Sequence, residues 1–497
     1  WEIFGAAWHD ENTGTSHYGD VTGGGSSSAS PMVSGIIALL NQAFPNHTPE
    51  MIVDRLLASA NNSWFTPTGN STFTTHGNSI KHGYHSIWGH GIPDAYAALS
   101  PITTSLNPLI GISTGGSMVN NADNHENLFP PGVTEFSANA SFGDSLLIGL
   151  KGESGYFYDA LGGGFKFDLS TLVKSKSNKS DIKEFINNDI MNLRNHENIG
   201  KHDNNYINVL GSIGRNKNFV TSVSIDTPSI PIQYFHNLIP TNFSHDSVYT
   251  NPFVNQKNGG LGLSTQYKHG NNTFMFGMHD SGNHSGLFGQ ASDDTKTIAS
   301  SFIYNSKSVD HLAVISGVMK EKDTLLGSKH SGAIGISGSN PKSYFNGFNI
   351  EHNFNDNLSF KANTILARTI VKNPNNSLIH SFSPISSSSF EISLLKKNIF
   401  DADDSLLISL SQPNRIETGS MNFKIQDLAD RYGNINHNLK KINLEPSGRQ
   451  IDFGINYTKK LNDNAIFGVK NVLSKDYSHY KDGNLNHLIT ATASINF

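Results

Sequence analysis

The chain has 497 residues, enough for two or more domains that each bury a core of their own. Its 36 lysines and arginines against 41 aspartates and glutamates give a formal charge of −5 without any basic block, which argues against a nucleic-acid partner. There is no cysteine, so disulfides and thiolate metal sites are excluded, and no run of roughly 18 apolar residues marks a membrane-crossing helix; a membrane β-barrel stays open, because its strands are short and only half apolar.

The first informative stretch is Gly23-Gly-Gly-Ser-Ser-Ser-Ala-Ser-Pro-Met-Val-Ser-Gly35. Val33, Ile36, Ile37, Leu40 and Phe44 recur at spacings of three and four, which predicts a helix of about three turns beginning between Ser27 and Pro31, with Pro31 in its first turn. The glycines allow close backbone approach, and the unpaired N–H groups at a helix start favour negative charge on a nearby hydroxyl. These features fit a glycine/serine loop entering an ordinary core helix as well as they fit a serine that must become an alkoxide.

Downstream, Asn46-His-Thr-Pro-Glu50 predicts a second helix, with Thr48 as cap, Pro49 in the first turn and Glu50 complementing the dipole ahead of Met51, Ile52, Leu56 and Leu57. His76, His82, His85 and His90 lie in a Gly/Asn-rich stretch without carboxylates at ligand spacing, which reads as a solvated loop rather than a metal site. Residues 107–132 have the Gly, Asn, Ser and Pro content of a connector. Asp144-Ser-Leu-Leu-Ile-Gly-Leu150 and Gly164-Phe-Lys-Phe-Asp-Leu169 read as short strands. From Ser180 to Leu193 the stripe Ile182, Phe185, Ile186, Ile190 and Leu193 predicts an amphipathic helix, either threaded through a pore or lying on its neighbours.

From about Asn204 the period changes to two. Ile451, Phe453, Ile455 and Tyr457 alternate with Asp452, Gly454, Asn456 and Thr458, and the last residues place Ile489, Ala491, Ala493, Ile495 and Phe497 on one face. Comparable segments recur at 206–213, 219–225, 261–267, 273–278, 298–304, 311–319, 344–352, 358–367, 390–395, 406–410 and 465–473. A dozen or so half-apolar strands suit a closed barrel, in which closure satisfies every strand edge, or a large soluble β-sandwich.

Five stretches and the terminal residue carry a resemblance. Gly25, Ser27, Ala29, Pro31, Val33 and Gly35 match the nucleophile segment Gly-Thr-Ser-x-Ala-x-Pro-x-Val-x-Gly of subtilisin-like serine peptidases, with Ser26 in place of threonine. The Thr48 helix is similar to the one that follows the nucleophile helix there, and Trp88-Gly-His-Gly-Ile-Pro-Asp-Ala-Tyr-Ala-Ala98 resembles the segment that closes that domain. Tyr158-Asp-Ala-Leu-Gly-Gly-Gly-Phe165 resembles the Phe-Asp-Ala-Leu-Gly-Arg-Asp-Phe element of autotransporter versions, with Gly163 and Gly164 replacing a charged pair. Leu410-Ser-Gln-Pro-Asn-Arg-Ile-Glu-Thr-Gly-Ser420 resembles a stretch of autotransporter barrels, and the terminal Phe497 resembles an outer-membrane insertion signal.

The resemblance implies an acyl-enzyme mechanism on Ser27, with the Ser27 N–H in the oxyanion hole, an upstream histidine as base and an upstream aspartate orienting it. The family places aspartate, histidine and an oxyanion asparagine well upstream, whereas 26 residues precede Ser27 here, and the adjacent His9 and Asp10 match neither motif. The chain from Trp1 is therefore read as a fragment or processed chain that is not a competent peptidase by itself. Calcium sites are common in the family, but no ligand set here matches one and no cofactor is expected.

The expected fold is a partial α/β subtilisin-like domain followed by an antiparallel transmembrane β-barrel of roughly 12 strands. Its expected parts are residues 1–100, a linker over 101–203 and the barrel over 204–497. The expected function is a serine endopeptidase acting on proteins or peptides, carried to the outer membrane of a Gram-negative bacterium with the barrel-assembly machinery as a partner. The alternative is a barrel that translocates or displays a degenerate, non-catalytic peptidase domain; a soluble protease with a β-rich accessory domain is a third.

Overall fold

The computed structural model describes residues 8–10, 15–17, 26–76, 78–102, 136–138, 140–175, 207–211, 219–225, 253, 261–280, 295–304, 310–330, 332–375, 377–462, 465–481 and 484–495. The expected helix over 180–193 and the connector over 107–132 lie outside the described residues. The chain divides into two compact units. One comprises residues 1–133, 154–167 and 426–438; the other comprises 134–153, 168–425 and 439–497.

In the first unit, helix α1 (Ser26–Ala43), helix α2 (Pro49–Ala58) and helix α3 (Ala95–Leu99) meet around Leu40, Phe44, Ile52, Leu56 and Ala98. Helix α1 has 18 residues, about five turns rather than three. It starts well before Pro31, so that proline sits in the second turn, where its missing N–H leaves the Ser27 carbonyl without the usual intrahelical donor. Helix α2 begins as the spacing predicts: the Thr48 hydroxyl accepts from the Met51 N–H and Glu50 lies in the first turn. Asp94 caps α3 by accepting from the Ala97 N–H at 2.9 Å.

Two expectations, one in each unit, are corrected. The histidine-bearing stretch is not a loop, because Gly69–Thr75 and Asn78–Tyr84 pair as an antiparallel hairpin, with His76 in the turn at φ 47°. Phe73 lies opposite Ile80 in that register, and burying this one pair is enough to fix a strand face on an otherwise polar ribbon. The segment Ser145–Leu150, expected as a strand, is a short helix with Ser145, Leu146 and Leu150 buried. By contrast, Gly164–Asp168 is a strand, paired with Ser154–Tyr158. An α/β layer with a parallel sheet is not among the described residues of the first unit; Trp8–Asp10 with Thr15–His17 and Gly69–Thr75 with Asn78–Tyr84 pair antiparallel.

The second unit is dominated by one antiparallel sheet of thirteen strands in simple meander order, from Ile207–Gly211 at one edge to Leu485–Ile495 at the other. Each of the thirteen alternating segments read from the sequence contributes a strand, so among the described residues the sheet holds thirteen strands. Among the described residues no pairing joins the two edges, and the closed barrel therefore stays an expectation.

Burial in the sheet alternates with an inverted sense. Along Lys342–Asn355, Ser343, Asn349 and Glu351 are buried while Tyr344, Phe348 and Ile350 are exposed. The pattern continues across the register. Lys361, Ser389, Glu391, Ser393, Ser409 and Asp452 are buried, and Leu366, Ile392, Leu394, Ile408, Leu410, Phe453 and Ile455 are exposed. Ile408 stands opposite Leu394 on one side and Ile455 on the other, so the exposed apolar residues form a continuous band.

The stretch that resembles autotransporter barrels lies in Asp404–Thr418 and is used almost residue by residue. Arg415 donates to the Pro446 carbonyl at 2.8 Å and the Gly448 carbonyl at 2.9 Å and pairs with Glu417 at 2.8 Å. Arg449 closes on Glu417 from the other side at 2.6 Å, the Asn414 amide reaches Ser141, and the Gln412 amide donates to the Ser388 carbonyl. Asp144 accepts from the Ser447 N–H at 2.8 Å and from its hydroxyl, which ties the segment holding the 145–150 helix to the same loop.

Candidate functional site

Ser27 is the second residue of α1, and its side chain is exposed. The placement agrees with the spacing argument: it lies in the first turn, where the N–H groups have no intrahelical acceptor and the helix dipole favours an oxyanion. The helix is held from behind. Leu40 is fully buried, Val33, Ile36 and Ile37 pack half-buried against the same cluster, and Phe44 closes its C-terminal end. The face bearing Ala29, Met32, Gly35 and Leu39 is open.

Among the described residues, no imidazole or carboxylate hydrogen-bonds Ser27, so the structure places the candidate nucleophile without placing a base. His9 falls in the strand Trp8–Asp10, which pairs with Thr15–His17 and sets His9 opposite Ser16. Among the described residues, His47, His82 and His90 have structural partners. His47 stacks on Phe44 at 5.1 Å, and its Nε2–H donates to the Gly162 carbonyl at 3.1 Å, while burial lowers its pKa from the ordinary 6.5. His82 and His90 lie with ring centres 5.6 Å apart, His82 Nε2 bonds the His90 carbonyl at 3.1 Å, and burial again lowers the pKa of His90. These rings are half-buried, not solvated as the composition suggested. No group of three histidine, aspartate or glutamate side chains converges as a cation site among the described residues.

The strongest electrostatic feature of the unit is one that sequence reading missed. Arg55 on α2 and Asp159 pair at 2.7 Å with both side chains fully buried. Arg55 also donates to the Ala98 carbonyl at 2.6 Å and the Ser100 carbonyl at 2.9 Å, and its guanidinium lies 4.1 Å from the centre of the Phe44 ring. Asp159 accepts in addition from the N–H groups of Ile102 at 2.9 Å, Leu161 at 3.1 Å and Gly163 at 2.8 Å. A buried ion pair is tolerable when its remaining donors and acceptors are engaged, and here all but Arg55 Nη1 are. The pair links the end of α2, the carbonyls around α3 and the 158–165 turn beneath the helix that carries Ser27.

The 158–165 turn also explains the departure at Gly163 and Gly164. A Cβ on Gly163 would stand 2.6 Å from Arg55 Nη1, and one on Gly164 would stand 2.5 Å from Leu428 Cδ1. No side chain fits at either place while Arg55 and Leu428 keep their positions.

Comparison with known proteins agrees with the N-terminal reading and adds little elsewhere. The family model described as the subtilase family matches residues 6–89, a span that contains Ser27, α1, α2 and the hairpin. No curated protein matches the chain. Among solved structures, the chain is similar to the crystal structure of the Pseudomonas putida toluene transporter TodX at 9% identity, covering 48% of this chain and 74% of that one. The TM-score is 0.27, too low to bear on the fold.

Proposed function

We propose that Ser27 is the nucleophile of a subtilisin-like serine endopeptidase whose C-terminal sheet is an outer-membrane β-barrel of the autotransporter type. The observation that carries the first part is the position of Ser27, exposed in the first turn of α1 and inside the span that matches the subtilase family. There the hydroxyl attacks the substrate carbonyl, and the N–H groups at the helix start are oriented toward the oxyanion that forms. A histidine base is required for turnover, and the proposal assigns none to residues 1–497.

The second part is supported by the inverted burial of the thirteen-stranded sheet. A soluble sandwich buries its apolar face, whereas here glutamate, lysine and serine are buried alongside Phe345, Ile365, Leu395 and Leu407, and a band of phenylalanine, leucine and isoleucine is exposed. The same observation disfavours the soluble protease with a β-rich accessory domain. Closure of the sheet, location at the bacterial outer membrane, recognition by the barrel-assembly machinery and protein or peptide substrates belong to this proposal. The display protein with a degenerate peptidase part remains the second reading, left open by Ser26 in place of the family's threonine.

The test is labelling of the full-length protein in outer-membrane fractions by a fluorophosphonate probe. Labelling that disappears in Ser27→Ala is expected, with a heat-modifiable band on the gel. A heat-modifiable but unlabelled protein selects the display reading, and recovery of the whole chain in the soluble fraction removes the barrel.

A further inference from the structure

The Ser27 unit is not a contiguous piece of chain. Residues 154–167 and 426–438 belong to it, yet the chain on both sides of each belongs to the sheet unit. We propose that these two segments form a built-in clamp that holds the Ser27 module non-covalently, so that a cut between residues 103 and 135 leaves the module in place instead of releasing it.

The first arm is the 158–165 turn. Asp159 supplies the only charge that faces the buried Arg55 guanidinium at bonding distance among the described residues, and the turn accepts the Ile102 N–H at the Asp159 carboxylate. The Ala160 N–H returns a bond to the Ile102 carbonyl at 3.1 Å. Ala160 and Leu161 complete the core that Ala58, Phe73 and Ile80 begin, and Phe165 packs edge-on against Phe44 at 5.8 Å. Without this arm, the guanidinium and three aromatic or aliphatic faces of the module would meet water.

The second arm is the 426–438 loop, which locks the first. The Ala429 N–H donates to the Tyr158 hydroxyl at 3.1 Å, and the Ala429 carbonyl accepts from the Asn46 amide at 2.7 Å. Tyr158, Ala429 and Ile435 are buried together, with Leu428 against them. Burial pushes the Tyr158 phenol up to about 12, so it stays neutral and keeps this bond across the physiological range. One residue of the loop thus grips both the module, at Asn46, and the turn, at Tyr158. Since 426–438 comes from between strands of the sheet region, the two arms reach the module from chain positions far apart.

The proposal rests neither on the chemistry of Ser27 nor on the membrane reading of the sheet. For its test, a site-specific protease recognition sequence is placed between Gly116 and Ser117 of the full chain, with an affinity tag ahead of Trp1. The protein is cut to completion, as checked on a denaturing gel, and captured by the tag in native buffer. Both fragments are expected on the resin, separating only in denaturant. In Asp159→Ala, dissociation of the nicked protein is expected to be faster on the order of a hundredfold or more, because an unpaired charge is left buried. Tyr158→Phe removes one hydroxyl without emptying the core and is expected to speed dissociation roughly tenfold, which keeps the test decisive where Asp159→Ala does not fold. Loss of the second fragment from the unsubstituted nicked protein overturns the clamp. Co-capture that neither substitution weakens overturns its assignment to these two arms.

Discussion

The Arg55–Asp159 pair gives an asymmetric expectation, because its two members lose different things when removed. Asp159→Ala leaves a fully buried guanidinium and strips the acceptor from three backbone N–H groups at 102, 161 and 163. Breaking a buried pair costs about 3–5 kcal/mol, and an orphaned buried donor about 1–3 kcal/mol, so the loss should lie at or above the upper end of the first range. Arg55→Met removes the guanidinium but leaves Asp159 with its three N–H donors, which by themselves stabilise a carboxylate; a loss of about 3 kcal/mol is expected. In the double variant the charge imbalance is gone, yet the three N–H groups stay unpaired, so it should recover only part of the Asp159→Ala loss.

The assay is urea unfolding of the full chain followed by tryptophan fluorescence. All four tryptophans lie within residues 1–133, so the signal reports the Ser27 unit and not the sheet. Arg55→Met costing as much as Asp159→Ala, or either costing less than about 1 kcal/mol, would refute the reasoning about how this pair is satisfied.

Three further outcomes are expected. Gly163→Ala should destabilise the same unit by about 1–3 kcal/mol, since the new methyl meets Arg55 Nη1 and Phe44; a fluorescence midpoint equal to that of the unsubstituted chain would show that Arg55 moves aside without cost. Acidification should weaken the unit. Burial lowers the pKa of His47 and His76 in the folded state, so between about pH 6.5 and those lower values the unfolded chain binds more protons and stability falls with falling pH. The groups coupled to His47 are Arg55 and His76, which lower its pKa, and Asp159, which raises it; His47→Gln should flatten the slope, and an unchanged slope would place the pH sensitivity elsewhere. On the sheet, Ile408→Arg puts a charge in the exposed apolar band and should cost about 2–4 kcal/mol if it sits at mid-bilayer. That cost should appear as reduced membrane recovery and heat-modifiability, while unaltered recovery would mean that the band does not face hydrocarbon.

How far the sequence carries depends on whether a signal is local. The thirteen strands of the sheet repeat a period-two pattern over enough residues to be read one at a time, and the Thr48 cap of α2 is a four-residue signal. The helix at 145–150 was misread because Leu146-Leu-Ile148 is a short apolar run, which periodicity cannot divide between helix and strand. The 69–84 hairpin was missed because only Phe73 and Ile80 mark its inner face, although its threonine content was a usable β signal. Within the candidate site, Ser27 is singled out by the resemblance of its segment, since its spacing to Pro31 and Gly35 fits an ordinary capped helix as well. Asp159 was noticed only as part of a resemblance, since nothing in either local stretch shows that it faces Arg55 across the fold.

The most direct test of the central claim is surface labelling of intact cells expressing the full-length gene. A membrane-impermeant biotinylated fluorophosphonate is compared between the unsubstituted protein and Ser27→Ala. Labelling of the unsubstituted protein alone, removed by external protease without cell lysis, is the expected result. Labelling equal in both proteins, or seen only after lysis, would contradict a surface peptidase acting through Ser27.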